Sequence, residues 1–171
     1  MRIKKTSRTK TGIAVSLALL SLVFVLTGCS IRLRFYPVQG PVAAATPNQI
    51  FLGTITAAST FNPRSGGFSA TLANGETFHG SWSMVRASGK DNNLPPALAG
   101  TQDIRGAWDA VYEKGFFVAH VLGQPEYGRS VSTGSKGTKL QVEIFSPGTT
   151  GGETRAVAQD SNGNIYKVSP Y

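Results

Sequence analysis

Through most of the chain, apolar and polar residues alternate over short runs, the period expected of strands whose two faces meet different surroundings. The cleanest case is Leu140-Gln141-Val142-Glu143-Ile144, which predicts a strand over 138–145 with one face in a core and the other in water. Residues 50–57 are apolar and β-branched, and predict a strand buried on at least one side. Residues 68–72 and 77–82 flank Asn74-Gly75, a pair that tolerates positive φ at both positions. They predict a hairpin with Phe78 and Trp82 on one face and Thr77, His79 and Ser81 on the other. Two more hairpins are predicted, 129–133 with 138–145 around Gly134-Ser135-Lys136-Gly137, and 154–159 with 165–168 around 160–164. Residues 116–122 read as a strongly apolar strand.

The period changes in two places. Residues 86–103, with Gly89, Asn92, Asn93, Pro95, Pro96 and Gly100, predict a long loop. Ile104, Ala107, Trp108, Val111 and Tyr112 then fall at helical spacing, with Asp103 placed to cap the start and Gly115 the end. Seven or eight short strands and at most one short helix predict a mainly β fold, either a small antiparallel sandwich or a partly open barrel.

The first 28 residues follow neither pattern. Residues 1–11 are polar and basic, and 12–26 form an uncharged, largely apolar run of fifteen residues. That is the layout of a secretory signal peptide. It falls short of the ~20 residues that a spanning helix needs at about 1.5 Å of rise each. The junction Leu26-Thr27-Gly28-Cys29 resembles the bacterial lipobox at all four positions. The resemblance implies cleavage between Gly28 and Cys29, a diacylglyceryl group on the Cys29 sulfur and an acyl chain on its new amine. It also implies that Ser30, following the lipidated cysteine, directs the protein to the periplasmic face of the outer membrane in a host with two membranes. Two or three acyl chains hold a protein stably where one holds it marginally.

The chain therefore divides into a signal peptide (1–28), a lipidated segment (29–47) and a single β-rich domain (48–171). The middle segment contains Pro37, Pro41 and Pro47 around Ala43-Ala44-Ala45, which suits a stiff tether. Its first residues could instead open the sheet, with Leu33 and Phe35 on one face and Arg32 and Arg34 on the other. Those two arginines are candidates for contact with anionic headgroups, and a solvated strand face is the simpler alternative.

The net charge of +8 shrinks once the N-terminus is set aside. Five of the seventeen basic residues and none of the nine acidic ones lie in 1–28, leaving twelve against nine. An excess of that size, with no basic stripe among aromatics, gives no reason to expect nucleic-acid binding. A single cysteine excludes an internal disulfide, so a domain of this size must hold together by its core.

Candidate chemistry is sparse. Asp160, Asn162 and Asn164 open with the spacing of a calcium loop, but Ile165 stands where glycine is needed and Tyr171 where an acid is needed. A hairpin turn explains the same residues, and no metal site is expected. His79 and His120 are the only histidines, and no Gly-x-Ser-x-Gly elbow frames a serine. His79 is expected to face outward and His120 to sit in the wall of an apolar strand, so no catalytic residue is assigned. Residues 134–138 lack the order of a phosphate-binding loop. Residues 78–82 are similar to the core of a MORN repeat but occur once, with no period following. Trp82, Trp108, Tyr112, Phe116, Phe117 and Tyr127 either line a groove for a glycan or apolar ligand or form the core.

Together these features predict a non-catalytic, membrane-anchored exported lipoprotein without a cofactor beyond its covalent lipid. It would bind an envelope protein or cell-wall component, or act in assembly. Two alternatives stay open, a carrier of an apolar or glycan ligand and a hydrolase acting on envelope polymers. A large apolar pocket would mark the carrier, and a histidine in reach of both an acid and a nucleophile would mark the enzyme.

Overall fold

The computed structural model describes residues 30–58, 64–85, 104–121, 126–145 and 153–171. Its frame is eight strands: β1 (Ser30–Gln39), β2 (Phe51–Thr56), β3 (Ser65–Thr71), β4 (Thr77–Val85), β5 (Tyr127–Thr133), β6 (Lys139–Phe145), β7 (Arg155–Asp160) and β8 (Ile165–Pro170). Each pairs antiparallel with the next, and β8 returns to pair with β1, so the sheet closes into an up-and-down barrel. The mainly β expectation holds, and of the two architectures left open the barrel is realised, fully closed. Closure removes the free edges that an open sheet would present.

Alternation sorts the side chains. Leu33, Phe35, Phe51, Phe68, Ala70, Phe78, Leu140, Val142, Ala156, Ala158, Tyr166 and Val168 point inward and form the barrel core. Gly53 makes room for it, because a Cβ there would lie 2.8 Å from the Phe35 ring. The bare outer face of β1–β4 is mostly polar, with Arg32, Arg34, Thr54, Ser69, Thr71, Thr77, His79 and Ser81. That distribution is the reverse of a membrane-spanning barrel, whose lipid-facing side is apolar. No helix among the described residues is long and apolar enough to cross a membrane.

Several expectations need correction. Of the two readings of 29–47, the opening strand is the one realised over Ser30–Gln39, with Leu33 and Phe35 inward and Arg32 and Arg34 outward. This stretch is therefore not a tether, and the barrel begins there rather than at 48. Pro41–Ala45 is a short helix, α1, with proline in its first turn where a missing N–H costs nothing. With α2 (Arg105–Val111), a 3₁₀ turn at Ala73–Gly75 and a π-helical turn at Phe117–Val121, the described chain has more than one short helix. The predicted strand over 116–122 is that π turn. Its His120 is exposed, with its ring centroid 4.6 Å from that of Phe116. Apolar content alone did not separate a short strand from one helical turn. The expected loop 86–103 and the cap at Asp103 lie outside the described residues.

The outer face of β6 is not wet. The segment α2 and the π turn lie across β5–β8 and create a second core with Trp108, Phe116, Phe117, Val121, Tyr127, Phe145 and Val157. Trp108 stacks on Tyr112 and Phe116 at 5.7 and 5.8 Å between centroids. Glu143 sits beneath the helix, 1% exposed, and is fully engaged. Its Oε2 accepts from Trp108 Nε1 at 2.8 Å, and its Oε1 accepts from Arg129 Nε at 3.0 Å and Gln141 Nε2 at 3.1 Å. Arg129 Nη2 completes a salt bridge to Oε1 at 2.8 Å and donates to the Tyr127 hydroxyl. Buried charge is tolerated when it is paired and its remaining lone pairs are used, as here.

Candidate functional site

The two ends of the barrel differ. At one end the interior is filled by Phe35, Phe51, Tyr166, Phe78, Leu72 and Leu140, with Phe35 and Phe51 each meeting the Tyr166 ring edge-on at 6.3 Å. Beneath them lies a buried polar floor. Asp160 accepts from the backbone of Asn162 (2.9 Å) and Asn164 (3.0 Å), from Asn164 Nδ2 (2.8 Å) and from the Tyr166 hydroxyl (3.2 Å). The helix α1 closes over this floor, and Val42 N–H donates to Asn164 Oδ1 at 2.8 Å. Glu76 is likewise buried, with Oε1 accepting from the backbone N–H groups of Lys136 (3.0 Å) and Thr138 (3.1 Å). Burial pushes the Glu76 carboxyl up, but the hydrogen bonds from Thr138 and Lys136 outweigh it and hold the group below its ordinary value. The Tyr166 phenol is pushed up by burial, then by the charge and hydrogen bond of Asp160.

The calcium-like triplet is therefore a hairpin turn whose acid faces the protein's own donors. Among the described residues no group of three or more His, Cys, Asp or Glu is placed to hold a metal ion.

The opposite end, where β1 begins and β2 finishes, holds a cavity of about 360 Å³. Ile31 and Leu33 of β1, Ile55 of β2 and Phe68 of β3 line one side, and Trp82 and Met84 of β4 continue the wall. Val142 and Ile144 of β6 stand opposite. Gly128 and Ser130 on β5 and Ala156 on β7 flank β6 with almost no side chain and leave this space. At the filled end β5 and β7 carry the small Ser132 and Ala158, and the rings of Phe35, Phe51, Phe78 and Tyr166 from β1, β2, β4 and β8 take up the room. An eight-stranded barrel is just wide enough to be filled by its own side chains or to hold one small ligand, so a layer of small residues decides between the two.

The lining is apolar and its polar groups are already spent. Trp82 Nε1 donates to the Thr56 carbonyl at 2.9 Å, and Ser130 Oγ donates to the Ser81 carbonyl at 2.9 Å. Arg129 belongs to the lining, but its guanidinium is turned to Glu143 and Tyr127 under α2. A guest here would be recognised by shape and apolar area.

The expected site residues are scattered. Gly28 and Cys29 lie outside the described residues, immediately before β1. Arg32 and Arg34 both point outward from β1, Arg34 packed over the Tyr171 ring at 4.0 Å and Arg32 lining a hollow of about 400 Å³ beside Leu52, Thr54, His79 and Tyr171. His79 faces outward as expected. Of the six aromatic candidates, Trp82 lines the cavity, while Trp108, Tyr112, Phe116, Phe117 and Tyr127 belong to the second core.

No family model, characterised protein or solved structure matches the chain. The functional reading therefore stands on the chemistry of the cavity and of the N-terminus alone. The residues that sequence reasoning missed are Gly128, Ser130 and Ala156, whose only signal is small size at inward positions of β5 and β7.

Proposed function

We propose that this protein is an exported lipoprotein, tethered through Cys29, whose barrel carries one small apolar ligand. The observation that carries the reading is the cavity of about 360 Å³, lined by Ile31, Leu33, Phe68, Trp82 and Val142 with its polar atoms satisfied internally. It favours the carrier over the surface-acting binding domain that sequence alone put first. A catalytic role has less support, because His79 lies on the outer face of β4, His120 lies in the π turn, and neither lines the cavity. The lipid anchor rests on the Leu26-Thr27-Gly28-Cys29 junction, and Ser30 favours the periplasmic face of an outer membrane. Arg32, exposed on the strand that follows the anchor, is the better of the two arginines for headgroup contact, since Arg34 is occupied by Tyr171.

Native mass spectrometry of the protein purified from its own membrane tests both halves. The polypeptide is expected to begin at Cys29 and carry acyl mass, and a species retaining Met1 overturns the tether. Incubation with 1-dodecanol is expected to give a one-to-one adduct that Val142→Phe, which fills the cavity, abolishes. No adduct, or an equal adduct in the filled variant, overturns the carrier.

A further inference from the structure

Among the described residues the cavity is closed at one end and open at the other, and the open end is the one where the described chain begins. Asp160, Asn164 and α1 seal the far end. Ile31, on the mouth, is 43% exposed and only two residues from Cys29. Two trans peptide units span at most ~7 Å, so the Cys29 Cα lies within that distance of the Ile31 Cα in any conformation. An anchor at Cys29 would thus hold the mouth against the headgroup layer and direct it away from bulk water.

On that basis, and resting on the carrier reading above, we infer that the cavity is loaded from the bilayer in which the protein is anchored. Its guest is a single acyl chain of a membrane lipid, drawn in methyl end first while the headgroup stays outside. Size, chemistry and route agree. At ~30 Å³ for each group the size of a water molecule, the cavity of about 360 Å³ accommodates roughly a dozen methylenes. Among the described residues of the lining the only charged side chain is Arg129, whose guanidinium is held by Glu143 rather than turned to a buried headgroup. A chain leaving a bilayer through water is slowed roughly fourfold by every methylene it exposes. A mouth seated on the membrane removes that barrier, whereas a mouth facing bulk water would leave it in place. Arg32, exposed on the outer face of the strand that leads from the mouth, would meet the phosphate of the same lipid.

The two tryptophans allow a direct test, because Trp82 lines the cavity and Trp108 is fully buried on the far side of the sheet. The lipidated protein is reconstituted in vesicles of phosphatidylglycerol and phosphatidylethanolamine brominated either near the headgroup or near the methyl end. Methyl-end bromines sit at the centre of a bilayer and reach Trp82 only if the chain enters the barrel. Those vesicles are expected to extinguish the Trp82 share of the emission. Trp82→Phe should leave only unquenched Trp108 emission, and Val142→Phe should restore the Trp82 signal. If Val142→Phe does not fold, Ile31→Glu serves instead, since it sets a charge across the mouth at an exposed position. Quenching by headgroup-proximal bromines alone, or none, overturns the inference. In that case a surviving dodecanol adduct keeps the carrier reading intact, and loss of that adduct too removes both.

Discussion

Replacing Glu143 by glutamine should cost this domain a large share of its stability. The carboxylate is buried under α2 and is the shared acceptor for Trp108, Arg129 and Gln141. Glutamine keeps one acceptor oxygen but turns an N–H₂ toward donors, and it leaves the Arg129 guanidinium, 14% exposed, without its counter-charge. Breaking one side of a buried ion pair typically costs about 3–5 kcal/mol. For a chain of this size, at roughly 2–4 °C per kcal/mol, Tm should fall by about 6–20 °C. Trp108 is a local reporter, since its fully buried indole should shift its emission to the red as α2 loosens. Urea unfolding of Glu143→Gln gives the loss, and the closed cycle of wild type, Glu143→Leu, Arg129→Met and Arg129→Met/Glu143→Leu gives the coupling between the pair. The double variant should recover most of the loss, because a well-packed apolar pair is often as stable as a buried ionic one. A Glu143→Gln loss below about 0.5 kcal/mol, the range of ordinary surface substitutions, would refute the view that this network holds α2 to the barrel.

Three further outcomes follow from the same packing. Gly66→Ala should destabilise by about 1–3 kcal/mol in denaturant unfolding, since the added Cβ would fall 1.6 Å from the Thr56 carbonyl oxygen, and an unchanged midpoint would contradict this close approach of β2 and β3. Ser132→Ala should be neutral or stabilise by up to ~1 kcal/mol, because Ser132 Oγ is buried without a hydrogen-bond partner, and a clear loss would reveal a partner for it. Stability should fall at both extremes of pH. The folded state binds the Glu76 proton less tightly than the unfolded chain does, so its contribution is full above pH 4.5 and disappears as pH drops through the lowered value. The Tyr166 proton is bound more tightly when folded, so that contribution is full below pH 10.0 and is lost as pH rises beyond it. Thermal melts across pH on wild type, Glu76→Gln and Tyr166→Phe check both, and a variant profile parallel to wild type removes the assigned group.

Local chemistry was legible in the sequence wherever one residue type has one use. Asn74-Gly75 forms its hairpin with both residues at positive φ, 61° and 72°, and the inward placing of Phe78 and Trp82 followed from period two. Closure of the barrel was not legible, because the pairing of β1 with β8 joins residues more than 125 positions apart and leaves no local signature. Glu143 and Gln141 read as solvent-facing because the alternation that exposes them is real. What covers them is a helix whose docking depends on the same long-range closure. The cavity was hidden for a related reason. Gly128, Ser130 and Ala156 are ordinary strand residues singly, and become a void only when three strands set them around β6.

The placement of β1 has a mechanical consequence. It hydrogen-bonds to β2 from Ser30 to Phe35 and to β8 from Leu33 onward, so over Leu33–Phe35 it is clasped on both flanks. Antiparallel rungs run perpendicular to the strand. A pull delivered at Ser30 along the strand therefore loads many rungs on both flanks together in shear, where a pull across the strand would unzip one rung at a time. Drag on the molecule should be borne by the barrel as a whole, and the first strand should be among the last to yield.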